Sequence, residues 1–146
     1  MPDDPDMIQF RPAPEATTWD ARRAELARDV ERVSDRLRGL SAARLSAAAP
    51  PHSSRAAAAR ATAQTLADAS AGLEACDARA APPWRTLPEL GDFAVGDQVA
   101  VAGHDLVAAT QQVAPGTPVW ARHGRPSAHE VLGEAADALV ELRRLL

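Results

Sequence analysis

The stretch DFAVGDQVAVAGHDLVAATQQV, residues Asp92 to Val113, decides the fold. Val95, Val99, Ala102, Leu106, Ala109 and Val113 recur at steps of four and three, which is the apolar stripe of a helix packed on one side, with Asp92 as its cap. The same letters admit a second reading. Phe93, Val95, Val99 and Val101 share one parity around Gly96-Asp97, the pattern of a tight hairpin. The helical pattern covers the longer span and accounts for Leu106 to Val113 as well. A helix is therefore expected, with a hairpin over 92–102 and a shorter helix as the alternative. Gly96 and Gly103 then fall two turns apart on one flank, where missing side chains let a neighbouring helix approach.

Three more helical patterns surround this segment. Trp19, Leu26, Val30, Val33, Leu37 and Leu40 form one stripe, so a helix is expected over about 18–40, fraying toward Leu45, with Thr17 or Thr18 as its cap. Arg28, Arg32 and Arg36 lie on the opposite side. After Pro50-Pro51, Ser53 or Ser54 opens a second helix running to about Cys76, whose inward stripe is Ala59, Ala63, Leu66, Ser70 and Leu73. Burying Ala removes little apolar area from water, so this helix must lie close to its neighbours while larger side chains come from elsewhere. Ser127-Ala128-His129-Glu130 reads as a capping box opening the last helix, with Val131 or Leu132, Ala135, Leu139, Leu142 and Leu146 inward.

Four helices with one apolar stripe each predict an all-α fold, an antiparallel four-helix bundle, with a short β-hairpin allowed in the 114–126 connection. Residues 1–16 hold Pro2, Pro5, Pro12 and Pro14 and read as an extended or disordered lead-in; residues 17–146 form a single domain.

Composition narrows the function. The chain has 146 residues and a net charge of −4, with Arg as its only Lys/Arg-type cation and no Lys, Asn or Tyr. That bias is the mark of a high-GC bacterial genome, so the Arg content is not read as a function. An acidic chain is poorly suited to displacing counterions from phosphates, and nucleic-acid binding is not expected. The single Cys76 excludes an intramolecular disulfide, the acidic start is unlike a secretory signal, and no apolar run approaches a membrane span; a cytoplasmic protein with no membrane partner is expected.

Catalytic signatures are missing. His52, His104, His123 and His129 show no metal-ligand spacing, so no metal or other cofactor is expected. Asp97 and His104 would lie two turns apart on an outer face, too far to share a proton. Cys76 near a helix end reads as an inert thiol, since the dipole there disfavours a thiolate. In length and helix count the chain resembles metal-dependent bundles of the DinB type, whose chemistry rests on three converging His. Only His104 stands at a comparable place, so the resemblance implies architecture and carries over no catalytic residue.

The remaining outliers are tryptophans in Pro-rich connections. Trp84 with Arg85, and Trp120 with Arg122 and His123, are the candidate binding residues, with Arg125 nearby adding positive charge. In an up-down bundle the two connections leave opposite ends, so Trp84 and Trp120 are expected apart, each plugging one end. If the third element doubles back, they meet in one electropositive patch. The function expected is association with a protein partner or a second copy of the chain, without catalysis. The alternative is a small enzyme or ligand-binding bundle using His104 or His123 beside carboxylates in a pocket.

Overall fold

The computed structural model describes residues 14–146, with side chains from residue 18 onward. It is all-α: α1 (Pro14–Arg38), a short α2 (Ala42–Ser46), α3 (Arg55–Glu74), α4 (Val95–Thr110) and α5 (Ala128–Leu145). Among the described residues there is no strand.

The deciding segment is helical. Val95, Val99, Ala102 and Leu106 are all buried, as the four–three spacing predicts. Its entry differs: Asp92–Ala94 is a turn of 3-10 helix, and Asp92 caps nothing but pairs with Arg60 of α3 at 2.6 Å. Gly96 and Gly103 do admit a neighbour. A Cβ at Gly103 would stand 2.5 Å from Val30 Cγ1, and one at Gly96 3.1 Å from the Ser34 carbonyl oxygen, so α4 rests almost backbone-to-side-chain on α1.

The other stripes are buried as read, from Trp19 to Leu40, Ala59 to Leu73 and Val131 to Leu142, in one core. Two boundaries are corrected. Helix α1 starts at Pro14, inside the expected lead-in and before Thr17 and Thr18; proline suits a first turn, whose N–H groups have no helical partner. Residues 1–13 of that lead-in lie outside the described residues. Instead of fraying beyond Leu40, the chain stops at Arg38 and restarts as α2, capped by Ser41. Ser54 caps α3, and Ser127 with Glu130 forms the full capping box.

Side-chain ties give the helix directions. Arg23 of α1 bonds Thr110 at the end of α4, while Arg38 at the end of α1 meets Asp97 at the start of α4, so these two run antiparallel. Arg22 reaches His129 and Arg36 reaches the Leu146 carbonyl, so α1 and α5 run parallel. Arg55, at the start of α3, donates to the Leu145 carbonyl at 2.6 Å, which makes α3 and α5 antiparallel. Helices α3 and α4 run parallel: Arg60 pairs with Asp92 at their starts, and Ser70 and Asp105 share a cleft further along. The alternating up-down order expected from sequence is therefore corrected at α3 and α4.

The reason lies in the 75–91 connection, which runs back along α3 before α4 begins. Gln64 holds it there. Its Nε2 donates to the Arg85 carbonyl and its Oε1 accepts from the Leu87 N–H, both at 2.9 Å, so one amide side chain serves as a backbone partner. The 114–126 connection doubles back too, with Val119 N–H donating to the Pro126 carbonyl and Ala121 N–H to Gly124, but it forms one isolated bridge and no β-hairpin strands.

Candidate functional site

Because the 75–91 connection retraces α3, Trp84 returns to the level of Asp68. The second connection brings Trp120 to Gly72, one helical turn further on. Trp120 N–H donates to the Gly72 carbonyl at 3.2 Å, and a Cβ at residue 72 would lie 1.9 Å from the Trp120 carbonyl oxygen. Glycine is required there for the close approach. The indole Nε1–H donates to the Ala78 carbonyl at 3.2 Å, which fixes the ring.

Both tryptophans thus line one pocket of about 470 Å³ together with Asp68, Arg122, His123, Arg125 and Glu134. This overturns the expected separation of the two rings as end plugs. The residues gathered are Trp84, Trp120, Arg122 and His123. Arg85 is left out, its side chain lining a separate cleft with Pro82, Pro83 and Asp105. His104 is elsewhere as well: it is exposed on α4, and its Nε2 lies 2.5 Å from Glu31 of α1. Asp97, its supposed neighbour, pairs with Arg38 instead, so both residues of that outer face tie α4 to α1.

Each indole carries a guanidinium. Arg122 lies over Trp84 at 5.4 Å from the ring centroid, and Arg125 over Trp120 at 4.2 Å. Their other partners differ. Arg122 forks onto Asp68, Nε to Oδ2 at 2.7 Å and Nη2 to Oδ1 at 3.1 Å, and this hydrogen bonding raises its pKa further above the ordinary guanidinium value. Asp68 also accepts from Gln64 at 2.9 Å. Arg125 meets no carboxylate among the described residues. Its Nη2 donates to the Cys76 and Pro118 carbonyls at 2.8 and 3.1 Å, leaving Nε and Nη1 uncommitted among the described residues. Glu134 and His123 have no hydrogen bond or ion pair among the described residues either.

Asp68, Glu134 and Gly72 escaped the sequence reading. Gly72 carried a usable signal, since glycine inside a helical pattern marks a close backbone approach. The two acids sit on exposed-looking helix positions and carried none.

Compared with family models, curated proteins and solved structures, the chain matches none. Among the described residues no group of three or more His, Cys, Asp or Glu converges to hold a metal. No described helix is long and apolar enough to cross a membrane.

Proposed function

We propose that this protein binds a small ligand in the pocket shared by Trp84 and Trp120. One observation carries the reading: two indoles from connections distant in sequence line one pocket beside α3, each stacked by an Arg. About 470 Å³ lies within the usual range for small-molecule sites, and a mostly apolar lining with a few placed polar groups is their usual chemistry. The scaffold is taken to be a four-helix bundle, with α1 and α5 directed one way and α3 and α4 the other, in a cytoplasmic setting. The arrangement of groups offers binding and no nucleophile–base pair, so catalysis is not part of the proposal.

The test is a titration of isotope-labelled protein with a panel of small aromatic and branched aliphatic metabolites. The indole Nε1–H signals of Trp84 and Trp120 should move while that of Trp19, buried in the core, stays. No movement across the panel rejects the reading.

A second reading, association, is supported by a different surface. Phe93 (71% exposed), in the 3-10 turn that precedes α4, Val101 (62%) on α4 and Leu90 (63%) just before them all stand in water. Large apolar side chains left exposed suit contact with another protein or a second copy of the chain. Sedimentation at rising concentration tests the self-association form, with Phe93→Ser as the variant expected to abolish it.

A further inference from the structure

The charges around the pocket point to the class of ligand, and this inference rests on the binding role proposed above. Arg122 and Asp68 satisfy each other through a two-bonded fork. That leaves one cation and one anion in the lining with no ionic partner among the described residues, Arg125 and Glu134. Arg125 is held in place, gripped by two backbone carbonyls and stacked on Trp120, so its charge is offered to the pocket without further ordering of the side chain. A guanidinium so fixed suits a carboxylate: with both Nη2 hydrogens taken by carbonyls, it offers its charge and one charge-assisted hydrogen bond from Nε or Nη1. Glu134, on α5 three residues beyond the buried Val131, sits on the same lining and opposes a plain anion. It would accept hydrogen bonds from an ammonium group. Trp84, Ala69, Ala121 and Val131 add apolar wall to the same lining.

We infer that the pocket takes a small zwitterion with an apolar body, of the α-amino-acid type, its carboxylate on Arg125, its ammonium on Glu134 and its side chain against Trp84. A dianion such as a phosphate monoester fits less well, because the one unpaired cation is matched by an unpaired acid.

Three probes of the same size separate the parts: L-phenylalanine, 3-phenylpropionate, which lacks the ammonium, and phenethylamine, which lacks the carboxylate. Following the Trp84 and Trp120 indole signals, phenylalanine should bind at least about tenfold tighter than either, the factor expected for one charge-assisted hydrogen-bonded contact. In Glu134→Gln, phenylalanine should fall to the level of 3-phenylpropionate, which itself should bind no more weakly than before. Glu134 is exposed and unpartnered among the described residues, so this variant leaves the fold intact. Arg125→Gln should bring phenylalanine down to the level of phenethylamine. If the three probes bind alike, or 3-phenylpropionate binds tightest, the zwitterion assignment is overturned while the pocket remains a binding site. If none of the three binds but other members of the panel do, the assignment falls alone; if nothing binds, both fall together.

Discussion

Gly72 and Trp120 meet backbone to backbone, with no room for even one methyl group between them. Gly72→Ala should therefore destabilise the protein, although alanine is the better helix former. A buried clash that neighbours relieve only by shifting costs about 1–3 kcal/mol, which outweighs the gain of under about 1 kcal/mol in helix propensity. Chemical denaturation gives the sign. The 114–126 connection is the part that must shift, so the Trp120 indole signal should move as well. A stabilised variant with an unmoved signal contradicts the contact.

Leu37→Ala should cost roughly 2–5 kcal/mol, because Leu37 is fully buried in the last turn of α1 and its loss leaves a cavity. Asp97→Ala should change the denaturation midpoint little. Asp97 is 71% exposed in its pair with Arg38, and ion pairs in water add little to stability. A large effect at Asp97 would show that the tie between α1 and α4 is shielded from solvent.

Gln64→Ala removes the two hydrogen bonds that hold the 75–91 connection on α3. A loss of about 1–2 kcal/mol is expected for the pair. Faster amide hydrogen exchange at Leu87, with Leu66 unchanged, would locate the effect in the connection. Gln64→Glu keeps an acceptor for Leu87 but turns the Nε2 contacts with the Arg85 carbonyl and the Asp68 carboxylate into oxygen–oxygen repulsion, so it should cost at least as much as Gln64→Ala.

Ser34→Ala should be neutral or stabilising. The Ser34 hydroxyl is buried between α1 and α4 with no hydrogen-bond partner among the described residues. Leaving such a group unsatisfied costs about 1–3 kcal/mol, and alanine removes the group while keeping the Cβ. A clear drop in melting temperature would mean that the hydroxyl is satisfied in solution.

The helices were legible because burying one face imposes a period on the sequence, and Val95 to Leu106 shows it even where a hairpin could be read. Capping was legible for the same kind of reason, since Ser127 and Glu130 act over three residues. The return of the chain along α3 was not. It depends on Gln64 finding two backbone groups beyond residue 84, and a single polar residue leaves no periodic trace. A connection as long as 75–91 can link its helices in either relative direction, so its length did not choose. The pocket inherited that ambiguity. Trp84 and Trp120 were singled out by composition, but whether they meet follows from the direction of α4, and Asp68 and Glu134 became visible only once they did.

The division of labour between helices and connections has a consequence for how this molecule can diversify. Trp84, Trp120, Arg122, His123 and Arg125 all belong to segments between helices, whereas α3 supplies the floor of the pocket with Asp68 and the small Ala69. Substitution in the two connections can thus re-tune what is recognised while the packed stripes of Leu, Val and Ala stay as they are. The anchor points set the limit of that freedom: any new connection must still offer Gln64 a backbone carbonyl and N–H, and must still pass Gly72 at backbone distance. Grafting altered 79–90 and 119–125 segments between those fixed points is a direct route to variants with new ligand preferences on an unchanged scaffold.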